Sequence, residues 1–126
     1  MTDTILDQDA TKLLDALASV LPHTKYREDI RGNREYDHEG VSPYVKPLLT
    51  AIGLKDWGFT VWMFYTSFRW GDLPGPVNVI PVCNVTESAM SEPGGELKYG
   101  LMRRIDGHVI AKPQFAAVFA VPHVPS

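Results

Sequence analysis

One segment of the chain is apolar on both of its faces, and this feature limits the possible folds more than any other. Residues 57–70 read WGFTVWMFYTSFRW and are rich in the aromatic and β-branched residues that favour β-strands. Alternate residues of a strand point to opposite sides, so this strand has two apolar faces. One face carries Trp57, Phe59, Val61, Met63 and Tyr65, and the other carries Thr60, Trp62, Phe64 and Phe68. Such a strand is either covered on both sides or leaves an aromatic face free for binding.

Two helices are predicted before this strand. Residues 7–20 carry apolar side chains at three- and four-residue spacings, and Asp7 or Asp9 can cap the first turn. Ser42 followed by Pro43 is typical of a helix start, and Gly53 suits the left-handed conformation that ends a helix.

Further strands are predicted after residue 76. Residues 77–86 form one of them, in which Pro81 requires an edge position or a bulge. Asp106-Gly107 between two strand-like segments predicts a type I′ hairpin. A two-residue turn there would set Ile105 opposite His108 and Arg103 opposite Ile110. The predicted fold is therefore a single α+β domain over residues 1–126, with two N-terminal helices packed on a four-stranded antiparallel meander. The alternative is a curved sheet or half-barrel that encloses a cavity.

Composition excludes several classes of function. A formal net charge of −3 gives no basic surface, which makes nucleic acid an unlikely partner. No apolar segment approaches the ~20 residues that cross a membrane, so no membrane association is expected. The single cysteine precludes an intrachain disulfide and fits a cytoplasmic protein.

The sequence contains no motif for a phosphate loop, a zinc protease, a serine hydrolase or a redox dithiol, so no cofactor is expected. Four histidines are scattered along the chain without the regular spacing of metal ligands, so no metal site is expected. They are His23, His38, His108 and His123.

Residues 24–40 contain four basic and five acidic side chains in mixed order. A two-residue turn at Gly32-Asn33 would place Arg31 opposite Arg34, and like charges opposed across strands are destabilising. We therefore expect an irregular surface segment that serves in recognition, with Arg31, Arg34 and Tyr36 as binding residues. In the alternative, catalytic interpretation, His38 acts as an acid–base group beside Asp37.

Two other groups of residues are candidates for a site. The predicted hairpin register puts Tyr99, Arg103 and His108 on one face, where a phenol, a guanidinium and an imidazole could hold an anion and move a proton. The simpler interpretation of that group is a polar rim on a half-buried face. The second group combines arginine with large aromatic residues, as interface hot spots do. It comprises Trp62, Phe68, Arg69 and Trp70.

The hypothesis that these patterns favour is a small non-enzymatic binding protein that uses an aromatic sheet face and a charged loop. Its expected partner is another protein, including a second copy of itself in a homo-oligomer, because two short helices are few to cover a strand with two apolar faces. The alternative is a cofactor-free enzyme of the isomerase, lyase or cyclase type, or a ligand carrier, with its pocket in a curved sheet.

Overall fold

The computed structural model describes residues 2–71, 75–83, 85–86 and 88–122. Within them the chain forms two α-helices, one 3-10 helix and eleven strands. In chain order these are β1 (Thr2–Ile5), α1 (Gln8–Val20), the 3-10 helix (Leu21–His23), β2 (Tyr26–Glu28), β3 (Arg34–Tyr36), α2 (His38–Ala51), β4 (Gly58–Phe64), β5 (Phe68–Trp70), β6 (Val77–Cys83), β7 (Met90–Glu92), β8 (Gly95–Glu96), β9 (Leu101–Ile105), β10 (Val109–Lys112) and β11 (Phe115–Val121).

The strands form two antiparallel sheets. The large sheet has seven strands in the order β1-β9-β6-β11-β4-β3-β2, and the small sheet has four in the order β5-β10-β7-β8. The α+β class with antiparallel sheets is therefore confirmed, but the expected four-stranded meander is smaller than the sheets that form. Strands β4 and β5, predicted as one segment, belong to different sheets.

Each face of the large sheet is covered by a different layer. Both helices pack on one face, where Val61 of β4 and Val118 of β11 meet Leu14 of α1 and Val45 of α2. The small sheet covers the other face, where Phe64 and Phe119 are buried together with residues of β10. The strand that is apolar on both faces is thus covered on both sides. The second sheet occupies the place that a half-barrel cavity would have taken.

The two helices differ in how well their starts follow the predicted caps. Helix α1 begins after Asp7, whose carboxylate accepts the Ala10 N–H at 2.8 Å, as predicted. Helix α2 begins after Asp37, earlier than the predicted Ser42-Pro43 start, and it contains Pro43 in its interior. No helix in the described part of the chain is long and apolar enough to cross a membrane.

The predicted hairpin at Asp106-Gly107 is wrong. Gly107 has the positive φ of 87° expected in a tight turn, but Asp106 is not among the residues with positive φ. Strand β9 pairs with β1 and β6, whereas β10 pairs with β5 and β7, so the turn links the two sheets. Of the edge position or bulge expected for Pro81, the structure has a bulge next to it, because Ala117 pairs with Pro81 whereas Ala116 pairs with Cys83.

Candidate binding site

The outer edge of β4 is only half covered by its neighbour. Strand β11 pairs with all seven residues of β4 on the inner side. On the outer side, β3 pairs with β4 only through Arg34 with Met63 and Glu35 with Trp62. Residues 58–61 therefore have no strand partner on their outer side among the described residues. Alternate N–H and C=O groups of such an unpaired edge point out of the sheet.

Three clefts lie along this free edge. The hairpin cleft, of about 330 Å³, is bounded by the β2–β3 hairpin, the start of α2 and Thr60. The tryptophan cleft, of about 320 Å³, is lined by Trp62, Trp70 and Phe119. The helix cleft, of about 280 Å³, lies between the end of α2 and Phe59. Thr60 lines the first two clefts and Phe59 lines the last two, so the clefts meet along β4.

The charged segment of residues 24–40 forms a hairpin rather than an irregular loop. Strands β2 and β3 pair with Glu28 opposite Arg34 and Tyr26 opposite Tyr36. The turn spans residues 29–33, so Arg31 is not set against Arg34, and the repulsion that argued against a hairpin is avoided. The prediction was wrong because it considered only a two-residue turn.

Asn33 holds the hairpin turn to the end of β4. Its side chain is fully buried, and its Oδ1 accepts the Tyr65 N–H at 2.9 Å and the Thr66 N–H at 3.0 Å. The Asn33 N–H in turn donates to Asp29 Oδ1 at 3.0 Å, which closes the turn. These bonds fix the position of the neighbouring residue, Arg34.

Arg34 lies between two tyrosine rings on the helix side of the sheet edge. Its guanidinium carbon is 4.3 Å from the centre of the Tyr26 ring and 5.3 Å from the centre of the Tyr65 ring. Its Nε is buried and has no hydrogen-bond partner among the described residues. Among the described residues Arg34 forms an ion pair with Glu28, whose Oε1 lies 3.8 Å from the Arg34 Nε.

Tyr36 is half-buried beside this group. Burial is the main cause that raises the pKa of its hydroxyl to about 12, with the charges of Cys83 and Tyr65 adding to the rise and that of Arg34 opposing it. The phenol therefore stays protonated at neutral pH and can act as a hydrogen-bond donor, but not as a base.

His38, the alternative catalytic residue, lies at the mouth of the hairpin cleft. It is the first residue of α2, and its ring stacks on Phe59 with 4.5 Å between ring centroids. The Asp37 carboxylate caps the helix by accepting the Gly40 N–H at 3.1 Å, and the described residues show no hydrogen bond between Asp37 and His38. Of the carboxylates in the cleft, Glu35 is bonded to Arg27 at 2.8 Å.

The proposed group of Tyr99, Arg103 and His108 depended on the hairpin register, which the strand pairing contradicts. Tyr99 precedes β9, and its hydroxyl group donates a hydrogen bond to Asp15 of α1. Burial, followed by this bond, raises the pKa of Tyr99 to about 12. His108 is exposed in the turn between the two sheets.

Arg103 is buried, and the protein itself occupies all of its donors. Its Nε and Nη2 form a bidentate pair with Asp3 of β1, at 2.8 and 3.0 Å. Nη1 donates to Ser91 Oγ and the Gly95 carbonyl, and Nη2 also donates to the Glu96 carbonyl. A guanidinium has five N–H groups, so none remains for an external anion. Arg103 connects the two sheets instead of anchoring a ligand.

The aromatic residues at the end of the predicted strand are mostly part of the core between the sheets. Trp62 stacks with Phe68 at 5.6 Å, and Trp70 meets Phe119 edge-on at 4.3 Å. Trp62 and Trp70 nevertheless keep part of their surface in the tryptophan cleft, whereas Arg69 points to solvent. The part of the expected aromatic sheet face that remains accessible is therefore a cleft.

No group of three or more histidine, cysteine, aspartate or glutamate residues in the described part of the chain could hold a metal ion. His123 lies outside the described residues. No protein-family model, curated protein or solved structure matches the chain significantly.

Sequence reasoning missed the free edge of β4, the buried Asn33 and the tyrosines that flank Arg34. The turn of the hairpin had a recognisable signal, because Asp29 and Gly32 are the residue types that close turns. The half-covered edge had none, since the length of β3 relative to β4 depends on where α2 begins.

Proposed function

We propose that this protein is a non-enzymatic binding protein that holds an extended segment of a partner protein along the free edge of β4. The observation that carries this proposal is the short overlap of β3 with β4, which leaves residues 58–61 without an outer strand partner among the described residues. At about 3.3 Å per residue, this stretch offers about 13 Å of edge.

A polypeptide backbone is the ligand whose hydrogen-bonding groups match this edge. The outward N–H and C=O groups of a strand recur at every second residue, and another extended chain presents acceptors and donors at the same spacing. Strand addition of this kind supplies affinity through main-chain bonds and specificity through pockets for alternate side chains.

The clefts on the two sides of the sheet fit such alternation. Side chains of an added strand point in turn to the small-sheet side and to the helix side. On the first side the tryptophan cleft offers Trp62 and Trp70, which favour an apolar residue. On the second side the hairpin cleft offers Lys25, Asp37 and His38, which favour a polar residue. The partner segment is therefore expected to alternate between apolar and polar residues.

The partner that we propose is a different protein. The reason to expect self-association was a strand face left without cover, and the small sheet covers that face. Light scattering at micromolar concentration tests this point. A monomer is expected, whereas a dimer whose formation protects the outward-facing amides among residues 58–61 from hydrogen exchange would make a second copy the occupant.

A blocked peptide of alternating valine and threonine tests strand addition directly. Titration into the protein should slow amide exchange at residues 58–61 and shift their amide resonances. The matched control is the same peptide with every backbone nitrogen methylated, which keeps the side chains but removes the amide donors from both of its edges. Equal binding of both peptides, or shifts confined to other residues, would refute strand addition.

A blocking variant provides a second test. Thr60 is exposed and lines two of the clefts, so Thr60→Trp should fill them without disturbing the core and should abolish the peptide-induced shifts. Ser19→Trp on the exposed side of α1 is the control and should bind as the wild type does. Unchanged binding by the Thr60→Trp protein would place the peptide elsewhere.

The enzymatic alternative now rests on His38, because Arg103 is unavailable as an anion anchor. A His38→Ala variant that folds normally but loses a measured turnover would overturn the binding function. We expect the His38→Ala substitution to cause no loss of catalytic activity.

A further inference from the structure

We infer that Arg34 is a carboxylate-binding residue that recognises an aspartate or glutamate side chain on the surface of a partner protein. This inference concerns the outer end of the hairpin, beyond the free edge of β4. It does not require that a partner adds a strand there.

The guanidinium of Arg34 is fixed in position before any ligand binds. The rings of Tyr26 and Tyr65 flank it at 4.3 and 5.3 Å. Arginine stacks favourably on aromatic rings, and stacking holds the guanidinium plane while leaving its N–H groups, which lie in that plane, available. The buried Asn33 holds the backbone beside it through its bonds to Tyr65 and Thr66. Little side-chain freedom is therefore lost on binding.

The donors of this guanidinium are not used by the described part of the protein. The buried Nε has no hydrogen-bond partner there, and the only ion pair of Arg34 is the 3.8 Å approach of Glu28, which is longer than a hydrogen bond. A buried donor of a charged group that lacks an acceptor is unfavourable. An incoming carboxylate that bonds Nε and one Nη side by side removes this penalty and has the planar geometry that a guanidinium fits best.

A carboxylate fits the surroundings better than a phosphate group. Glu28 already places a carboxylate next to Nε, which shows that a group of this size has access to that side. Glu28 and Asp29 lie at the same end of the hairpin, and their charges oppose a dianion more strongly than a monoanion. We therefore expect the ligand carboxylate to displace Glu28 from beside Arg34.

The probe for this site is N-acetyl-glutamate amide, which carries one carboxylate and no free terminus. Its neutral counterpart, N-acetyl-glutamine amide, is the matched control, and methyl phosphate is the competing anion. The readout is the Nε–H resonance of Arg34 in a nitrogen–proton correlation spectrum. Saturable shifts with the glutamate compound, and none with the glutamine compound, are expected. Tighter binding of methyl phosphate would overturn the assignment of a carboxylate.

Two substitutions distinguish recognition by the planar pair of guanidinium N–H groups from attraction by the positive charge alone. Arg34→Lys keeps the charge but loses the planar pair of donors, so the affinity for the glutamate compound should fall about tenfold or more, measured from shifts of the neighbouring amides. Arg104→Lys changes an exposed arginine on β9 and should leave the affinity unchanged. Equal affinity in the Arg34→Lys protein would overturn the proposal.

The displacement of Glu28 has its own test. Glu28→Gln removes the competing carboxylate and should strengthen binding of the glutamate compound by about two- to fivefold. Equal or weaker binding would show that Glu28 does not compete for Arg34. Because these probes are too short to add a strand, the carboxylate site and the strand-addition function can fail separately.

Discussion

Arg103 and Arg34 occupy matching places at the two ends of the large sheet, but their donors are used in opposite ways. Each lies on the strand next to an edge strand, Arg103 on β9 beside β1 and Arg34 on β3 beside β2. The Arg103 side chain is 4% exposed and donates five hydrogen bonds within the protein, whereas that of Arg34 is 34% exposed and is held by two aromatic rings. An arginine that is buried with all of its donors bonded within the protein, as Arg103 is, has a structural role. Fixed position with unsatisfied donors is the basis of the binding role that we propose for Arg34.

The layers around the sheet cause this difference. Arg103 faces the small sheet, where β7 and β8 supply Ser91 Oγ and two carbonyl groups within bonding distance. Arg34 faces the helix side of the opposite edge, where the side chains of Tyr26 and Tyr65 surround it instead. Tyrosine rings hold a cation without consuming its N–H groups.

The largest expected effect is on stability at Arg103. Arg103→Met keeps an unbranched apolar stem but leaves Asp3, Ser91 and two carbonyl groups without their donor. Asp3 is itself 36% exposed, so water can solvate its carboxylate, but the loss of the bonds to Ser91 and the two carbonyl groups should still lower the free energy of unfolding by about 3 kcal/mol, measurable by urea denaturation. Arg104→Met, at the exposed neighbouring position, is the control and should change stability by less than about 0.5 kcal/mol. A loss below about 1 kcal/mol at Arg103 would contradict its role as a link between the sheets.

Asn33 is expected to matter next, because it connects the hairpin to the end of β4. Asn33→Ala leaves two backbone N–H groups, those of Tyr65 and Thr66, without an acceptor. The free energy of unfolding should fall by about 2 kcal/mol, since each of these two part-buried hydrogen bonds contributes about 1 kcal/mol. The affinity of Arg34 for the glutamate compound should fall as well. Retention of full affinity would show that stacking alone positions Arg34.

The pair of Asp3 with Arg103 predicts a pH dependence. The hydrogen bond from Arg103, partly opposed by burial, holds the pKa of Asp3 below its ordinary value of 3.8. A lowered pKa in the folded state means that the pair stabilises the fold fully above pH 3.8 and loses this contribution as the pH falls through the folded-state pKa. Asp3→Asn should therefore be less stable than the wild type by about 1 kcal/mol at neutral pH.

The difference in the free energy of unfolding between the wild type and the Asp3→Asn variant should shrink below pH 4, as measured by urea denaturation across the acidic range. A constant difference from pH 7 to pH 3 would mean that the substitution acts through packing rather than through the ion pair.

The local features of the fold could be predicted because short-range physics determines them. The apolar spacing and cap of α1, and the apolar character of both faces of β4, follow from the side chains of each segment alone. That both faces are covered does not, because the small sheet that covers one of them is built from distant segments. The turn at Gly107 was recognised, but a tight turn can join strands of one sheet or of two. The choice here depends on distant partners, since β1 and β6 take the two edges of β9.

The candidate site was predictable only in its residue types. The sequence indicated that Arg34 and Tyr36 belong to a recognition segment, but it did not show that Arg34 lies between Tyr26 and Tyr65, because Tyr65 comes from another strand. It could not show that Arg103 is saturated either, because its acceptors come from β1, β7 and β8. Whether an arginine is structural or binding depends on these long-range contacts.

The smallest effect on stability is expected where binding should change most. Arg31→Ala removes one long 3.3 Å bond from an exposed guanidinium to the Ser67 carbonyl, and Arg34→Ala removes stacking energy together with an unpaired buried donor. Each substitution should change the free energy of unfolding by no more than about 0.5–1 kcal/mol, as for partly exposed charges. Arg34→Ala should nevertheless abolish the binding of the glutamate compound. An Arg103→Lys variant that remains folded should still bind this compound. If Arg34→Ala destabilises the protein as much as Arg103→Met does, the two arginines have the same structural role and the comparison fails.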